Sequence, residues 1–211
     1  MGKYTIGSPD GDSRRSFDCI SLDFEVGVQD RRIHKFAAVR PDTGQSLIFP
    51  GTGDGLGAAL GKLDDLADGA DFLLGHNLID FDLPHLQAAN PRLRLLRLPA
   101  VDTLRLNPLA FPRNPYHHLV KHYQDGQLKR GRINDPKLDC ELSMELFRDQ
   151  QQALQGTSPD LLTAWHWLTT SKNGVGFDQV FASLRDSSRP SYTETNGVIR
   201  ALLADVACQT H

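Results

Sequence analysis

Apolar and polar residues alternate over the first part of the chain in a pattern typical of β-strands. Phe17 to Val28, Ile33 to Val39 and Gln45 to Phe49 each alternate in this way, and Pro41-Asp-Thr-Gly44 has the residue types of a hairpin turn. The residues before Phe17 are polar and rich in glycine, which favours a flexible segment over 1–16. The pattern therefore predicts that ordered structure begins near Phe17 with a three-stranded meander.

After residue 50 the pattern changes to helical spacing around one short apolar run. Asp54 to Leu66 carries leucines at helical spacing, and Asp71 to Leu74 predicts a buried strand that ends at Gly75. Helices are also predicted over Phe81 to Ala89 and Tyr116 to Tyr123. Antiparallel strands followed by alternating helices and strands predict an α/β domain with a mixed sheet that helices cover.

A longer helix is predicted from Asp135, because Asp is favoured at the N-cap and Pro136 at the first helical position; it continues to about Leu154. Beyond a polar stretch, three short helices follow over Pro159 to Thr170, Phe177 to Arg185 and Thr193 to Ala207. The predicted organisation is a domain over 17–154 and a small helical extension over 155–211. The chain ends without an obvious helix cap, and we expect it to be the N-terminal part of a longer protein.

The composition is that of an ordinary globular protein. The chain has 211 residues, and a hydrophobic content of 39% is enough for a buried core. No charged-then-apolar leader opens the sequence and no apolar run approaches the roughly 20 residues of a membrane helix, so we expect a cytoplasmic protein with no membrane partner. Three widely spaced cysteines favour reduced core thiols over a disulfide framework or a zinc knuckle.

A net charge of −3 ordinarily disfavours binding to nucleic acid. Two bound divalent ions would make the total slightly positive, and local charge matters more than the total. Two basic clusters stand out, and each fits either a binding surface or a solvated face. They are Arg92, Arg94, Arg97 and Arg105, and Lys129, Arg130 and Arg132.

Two carboxylates, Asp23 and Glu25, lie two residues apart in an otherwise apolar strand. Alternate residues of a strand point to the same face, so the two acids converge on one side of the predicted sheet. Like charges this close repel each other unless a hard divalent ion with oxygen ligands neutralises them. Solvated acids on an exposed strand face are the alternative for an isolated pair of this kind.

Further acids follow at two helix starts. Asp82 is predicted in the first turn of the helix after the buried strand, where the helix dipole favours an anion, and Asp80 fits a capping role. Asp139 lies about one turn into the helix that begins at Asp135, at the edge of its apolar stripe. A carboxylate in that position either enters a cleft or is solvated.

Taken in order, these three runs resemble the DEDD 3′-to-5′ exonucleases, the DnaQ-like branch of the ribonuclease-H-like fold. The resemblance covers roughly Phe17 to Leu154 and includes Asn77, Phe81 and Asp82 in the second motif. The strand-end run Val101-Asp102-Thr103-Leu104 also looks like the family's Asp-Thr-Leu. By resemblance, four acids hold two metal ions; they are Asp23, Glu25, Asp82 and Asp139.

The resemblance implies a ribonuclease-H-like mixed sheet flanked by helices and hydrolysis of phosphodiester bonds by two Mg²⁺ or Mn²⁺ ions. An all-carboxylate site suits either ion, and the chain offers few cysteines or clustered histidines for zinc. The expected partner is the 3′ end of a single-stranded nucleic acid. The residues expected to face it are Phe24, Val26, His76, Asn77 and Phe81, with core packing as the alternative for both phenylalanines.

One departure from the family concerns the general base. The most similar branch has a His five residues before the last Asp, and Asn134 stands at that position. A neutral amide does not accept a proton from water near pH 7, and loss of a positioned base typically costs about 10²- to 10⁴-fold in rate. A metal-bound hydroxide could still support slow hydrolysis. His117, His118 and His122 either supply a replacement base or form a basic helix face.

Three functions therefore remain open from the sequence. The first is a metal-dependent 3′-to-5′ exonuclease on single-stranded DNA. The second is an exonuclease-fold module that binds nucleic acid with little turnover, and the third is a 3′-to-5′ exoribonuclease. The run Asn114 to Lys121, with the later Asn134-Asp-Pro, looks like exonuclease-type domains joined to superfamily-2 DNA helicases. This looser resemblance favours DNA and implies a helicase or further C-terminal domains in the same chain.

Overall fold

A computed structural model of the chain shows a mixed β-sheet flanked by helices, which confirms the predicted α/β class. The structure describes residues 18–51, 55–115, 117, 119, 123–124, 127–128, 135–170 and 176–204. The segment 1–16, predicted to be flexible, lies outside the described residues. The division into a domain over 17–154 and an extension over 155–211 stays a prediction.

The main sheet has five strands in the order β3-β2-β1-β4-β5. β1 is antiparallel to β2, and β2 to β3, whereas β1, β4 and β5 run parallel to one another. The predicted meander and the predicted buried strand are therefore confirmed. The five strands are β1 Cys19–Val26, β2 Ile33–Arg40, β3 Gln45–Phe49, β4 Phe72–Gly75 and β5 Ala100–Asp102.

Seven α-helices lie in the described residues, and most of them match the predicted spans. They are α1 Leu56–Leu66, α2 Leu83–Ala89, α3 Thr103–Ala110, α4 Pro136–Gln155, α5 Pro159–Thr169, α6 Phe177–Arg185 and α7 Tyr192–Ala204. A π-helical turn, Leu78–Asp82, precedes α2, and a 3₁₀ turn, Arg94–Arg97, precedes β5. Two further two-residue strands, β6 Tyr123–Gln124 and β7 Gln127–Leu128, form a separate pair.

Side chains of the sheet alternate between two hydrophobic clusters because successive residues of a strand point to opposite faces. Ile20, Leu22 and Phe24 of β1 belong to one cluster, which α1 covers. Cys19 of β1 and Phe72 of β4 belong to the other, together with residues of α4. The helices after α4 contribute to this second cluster through Leu162, Phe177 and Phe181.

Two differences from the sequence prediction have local physical causes. Within the predicted helix Tyr116 to Tyr123, the described residues His117 and Leu119 are not helical, and Tyr123 belongs to β6. This segment is rich in aromatic and histidine residues, which are only moderate helix formers. Helix α3 was not predicted, because Asn107 and Pro108 interrupt its apolar pattern.

Both described cysteines, Cys19 and Cys140, are free and buried, as predicted. Burial raises the pKa of the Cys19 thiol to about 12, so the thiol stays protonated at neutral pH. Cys208 lies outside the described residues. Among the helices that the structure describes, none combines the length and the apolar composition of a membrane span.

Candidate metal centre

Three strand ends meet at one edge of the sheet, and this fixes where the predicted acids lie. Because β1, β4 and β5 are parallel, their carboxyl ends point the same way. Asp23 and Glu25 are near the end of β1, Asp82 follows β4, and Asp102 ends β5. In open α/β sheets, ligands generally bind outside the carboxyl ends of the strands.

Asp23, Glu25 and Asp139 form an acidic cluster at this edge. Each offers a carboxylate oxygen, and these oxygens all lie within 4.8 Å of one another. Asp23 and Glu25 are half-buried on one face of β1, whereas Asp139 is 4% exposed on the first turn of α4. The cluster therefore joins two elements that are more than a hundred residues apart in sequence.

The spacing and chemistry of this cluster fit a hard divalent ion. Ligands on opposite sides of an octahedral Mg²⁺ are about 4.2 Å apart, since each metal-oxygen distance is about 2.1 Å. Neighbouring ligands of such an ion are closer, about 3.0 Å apart, so three oxygens within 4.8 Å of one another would have to move together to share one ion. Carboxylates are the ligands that Mg²⁺ and Mn²⁺ prefer, so Asp23, Glu25 and Asp139 together could bind such an ion.

Asp82 lies beside this cluster and is almost fully buried, with 2% of its surface exposed. The backbone N–H of Phe24 donates to Asp82 Oδ1 at 3.1 Å, which fixes the carboxylate next to β1. Burial, and then the nearby Asp23 carboxylate, raise the pKa of Asp82 well above its ordinary value. The cluster thus favours a proton or a cation at Asp82 over a bare negative charge.

Helix α4 is held on the sheet by polar contacts beside Asp139. Ser21 Oγ donates to the Cys140 carbonyl oxygen at 3.0 Å, and Cys140 Sγ contacts the Ala37 carbonyl oxygen at 3.4 Å. At the start of the helix, Asp135 accepts from the backbone N–H groups of Lys137 and Leu138, which confirms the predicted N-cap. These contacts set the position from which Asp139 meets β1.

Asp102 organises the turn that carries Asp82, a role that sequence reasoning missed. Its fully buried carboxylate accepts three backbone N–H groups: Asn77 at 2.9 Å, Ile79 at 3.0 Å and Leu104 at 3.0 Å. It therefore ties the end of β5 to the π-helical turn after β4. Two of the groups that Asp102 binds, the N–H groups of Asn77 and Ile79, belong to a distant turn, and residue spacing in the sequence does not reveal them.

The π-helical turn explains why Asp82 faces the cluster. Leu83 N–H donates to the Leu78 carbonyl oxygen, five residues back, and Asn77 adopts a left-handed φ of 66°. Single π turns are often found at functional sites. The predicted helix therefore begins earlier than Phe81, in π form. Asp80 does not cap it, contrary to prediction; its carboxylate instead pairs with Arg105 at 2.7 Å.

Of the residues predicted to contact substrate, Phe24 lies in the core rather than at the surface. The residue is 3% exposed, and its ring packs against the Phe36 ring at a centroid distance of 5.3 Å, so Phe24 is a core residue. Val26 is half-buried and also packs against this core. Phe24 and Gly27 use their N–H groups internally, on Asp82 and on the Arg32 carbonyl oxygen respectively.

The other three predicted substrate residues lie around the turn after β4. Phe81 is 38% exposed and packs edge-on against the ring of His85. His76 is half-buried, with Nδ1 2.9 Å from Thr103 Oγ1. Asn77 is half-buried, and its backbone N–H donates to Asp102. Phe81 is thus the most exposed of the five predicted contacts.

Asn134, His118, His122 and the cluster Lys129, Arg130 and Arg132 lie outside the described residues. Two arginines of the other basic cluster, the one that runs from Arg92 to Arg105, form ion pairs. Arg94 pairs with Asp64 and Asp65, and Arg105 pairs with Asp80. This favours the solvated-face interpretation for those two arginines. Asn107 Nδ2 donates a hydrogen bond to the carbonyl oxygen of His117.

Comparison with known proteins adds no family to these observations. Neither the protein-family models nor the curated proteins gave a match to this chain. The geometry of the acidic cluster is therefore the main support for any functional assignment.

We expect Asp102→Asn to destabilise the protein by about 1–3 kcal/mol, because one of its two acceptor oxygens is replaced by a donor and a buried N–H loses its partner. Urea unfolding measures this change. Asp65→Asn is the control, since Asp65 is 81% exposed and its pair with Arg94 should contribute no more than about 1 kcal/mol. Equal effects of the two substitutions would contradict the role given to Asp102.

The raised pKa of Asp82 predicts that Asp82→Asn stabilises the metal-free protein at neutral pH. An acid whose folded-state pKa is raised stabilises the fold below its unfolded pKa of about 3.9 and loses that contribution as pH rises through the folded value. The asparagine has no charge to desolvate. In EDTA, the variant should be more stable than wild type near pH 7, and this advantage should shrink as pH falls toward 4.

The matched control for this experiment is Asp80→Asn, two residues away and exposed. It removes a surface ion pair with Arg105, so it should be neutral or slightly destabilising near pH 7. With Mn²⁺ in excess, wild type should gain stability by mass action and the Asp82→Asn advantage should disappear. A variant that is less stable than wild type at every pH in EDTA would contradict the electrostatic account of Asp82.

Proposed function

We propose that this protein is a metal-dependent 3′-to-5′ exonuclease that hydrolyses phosphodiester bonds at the end of single-stranded DNA. The single observation that carries the proposal is the convergence of Asp23, Glu25 and Asp139, within 4.8 Å, at the carboxyl edge of a mixed sheet. The order and spacing of the acids resemble the DEDD exonucleases. The mixed sheet with flanking helices is compatible with the ribonuclease-H-like fold that this resemblance implies.

In this proposal, the acids have distinct positions in the site. Asp23, Glu25 and Asp139 would hold a divalent ion, and Asp82, fixed by the Phe24 N–H, would complete the set of four. When bound, Mg²⁺ or Mn²⁺ at such a site activates water and stabilises the leaving oxygen. The protein's own contribution is to hold mutually repelling carboxylates in place through Asp102, Ser21 and the α4 cap.

Phe81 could provide a stacking surface for the terminal base of a bound strand. Its exposed ring is one residue from Asp82, and aromatic side chains bind single-stranded nucleic acid by stacking on bases without regard to their sequence. Stacking serves DNA and RNA alike, so the preference for DNA rests on the looser resemblance to helicase-linked exonuclease domains. The implied partner, a helicase or C-terminal domains in cis, belongs to the proposal on the same ground.

A second candidate function rests on one observation in the sequence. Asn134 occupies the position at which the most similar exonucleases carry the general base. An exonuclease-fold module that binds nucleic acid with little turnover would keep the acidic cluster and lack fast chemistry. The same experiment separates this module from the enzyme and from an exoribonuclease.

We expect the full chain to shorten 5′-labelled single-stranded DNA from its 3′ end in the presence of Mg²⁺ or Mn²⁺, giving a ladder on a denaturing gel. Asp139→Asn should lower the rate by more than about 100-fold, because loss of an outer partner of a metal ligand already costs roughly 10- to 100-fold. Asp149→Asn is the matched control, since Asp149 is an exposed acid on the same helix. EDTA should abolish the ladder.

The alternatives give different results with the same reagents. A ladder on RNA alone would support the exoribonuclease, and binding without a ladder would support the module with little turnover. Cleavage by Asp139→Asn at the wild-type rate in a clean preparation would mean that the acidic cluster is not the active site.

A further inference from the structure

Lys35 lies directly across from Glu25 in the antiparallel pair of β1 and β2. Opposite residues in such a pair point to the same face of the sheet, with Cβ atoms about 4.5–5.5 Å apart. Lys35 is exposed, and it follows the turn by which the chain leaves β1. A positive side chain therefore borders the acidic cluster on the side of β2.

Lys35 does not neutralise Glu25. A cross-strand Lys and Glu commonly pair, yet no ion pair or hydrogen bond joins these two described residues. Glu25 instead directs an oxygen toward Asp23 and Asp139. The ammonium group of Lys35, which lies on the same face of the sheet as Glu25, is thus left to another anion.

The turn from β1 to β2 adds two more cationic residues on the far side of Lys35. Gly27 N–H donates to the Arg32 carbonyl oxygen, and Arg31 N–H donates to the Gly27 carbonyl oxygen, both at 2.9 Å, so the turn has a defined shape. Its acid, Asp30, is engaged by His34 at 2.8 Å and by the Arg32 backbone N–H at 3.1 Å. The side chains of Arg31 and Arg32 are exposed.

Lys35 lies opposite Glu25 in the hairpin, and Arg32 lies opposite Gly27. Arg32 is therefore two residues, or roughly 7 Å, farther along the direction of β1 than Lys35. Cationic side chains at these two positions could bind successive phosphates of a strand that leads away from the acidic cluster. Divalent ions bound by the cluster would contact only the reacting phosphate. The neighbouring phosphates of a bound strand need cations from the protein, because phosphate contacts supply most of the sequence-independent affinity for nucleic acid.

We propose that Lys35 binds the backbone phosphate next to the reacting one, and that Arg31 and Arg32 extend this contact along the substrate strand. The proposal rests on the proposed nuclease function and names the surface by which that site holds its substrate. It also accounts for nucleic-acid binding by a chain of net negative charge, since the cations are placed locally beside the site.

The test is equilibrium binding of a 5′-fluorescein-labelled oligothymidylate, followed by fluorescence anisotropy at several salt concentrations with fixed Mg²⁺. Phosphorothioate linkages at its 3′ end slow hydrolysis during the measurement. The full chain is compared with Lys35→Met, which removes the charge and keeps the stem, and with Lys35→Arg, which keeps the charge. Lys62→Met is the control, because Lys62 is an exposed lysine on α1, which covers the opposite face of the sheet.

We expect Lys35→Met to weaken binding by about tenfold and to reduce the slope of log K against log salt by about 0.7, the value of one phosphate contact on a single strand. Lys35→Arg should restore most of the affinity, and Lys62→Met should behave as wild type. Circular dichroism of each variant confirms that the fold is retained.

Three results would overturn the proposal. Wild-type binding and an unchanged slope for Lys35→Met would remove Lys35 from the substrate surface and leave the nuclease proposal standing. Equal weakening by Lys35→Met and Lys62→Met would mean that only overall charge matters. If the wild-type chain binds neither DNA nor RNA oligonucleotides with Mg²⁺ or Mn²⁺, the proposed nuclease function itself fails.

Discussion

Electrostatic repulsion among four carboxylates is the constraint on which this site depends. Asp23, Glu25 and Asp139 bring oxygens within 4.8 Å of one another, and the charge of Asp23 adds to burial in raising the pKa of Asp82. Burial makes the charge of Asp82 more costly, because the low dielectric interior penalises a bare carboxylate. Such an arrangement lowers the stability of a metal-free protein at neutral pH. Asp23, Glu25 and Asp139 could bind a cation that offsets this repulsion.

The surrounding structure holds the acids where repulsion would otherwise separate them. The parallel strands β1, β4 and β5 end at one edge, and Asp102 joins the last two ends through three backbone hydrogen bonds. The Phe24 N–H fixes Asp82, and Ser21 fixes the start of α4. These hydrogen bonds thus offset part of the electrostatic cost of bringing the acids together.

Much of the fold was predictable because its elements carry strong local patterns. The meander, β4 and the helix from Pro136 follow from alternation, from an apolar run and from the Asp135-Pro136 cap. Helix α3 was not predictable in this way, since a buried polar pair, Asn107 and Gln150, replaces apolar side chains in its contact with α4. The π turn was missed for a similar reason, because distant Asp102 stabilises it.

The candidate site was predictable to the extent that its acids lie near the ends of strands and helices. Spacing places Asp23 and Glu25 on one face, and the resemblance adds Asp82 and Asp139. No local pattern reveals that the Phe24 N–H donates to Asp82 while the Phe24 ring packs in the core. Nor does one reveal that Lys35 lies opposite Glu25 without pairing with it. Those facts depend on strand register and tertiary contacts, which a single sequence does not contain.

X-ray diffraction from crystals grown with Mn²⁺ would show whether these acids form a cation site. We expect an anomalous scattering peak bonded to carboxylate oxygens of Asp23, Glu25 and Asp139, with Asp82 adjacent. Crystals that contain Mn²⁺ but show no peak at these four acids, or that bind it only elsewhere on the surface, would rule out a cation site here.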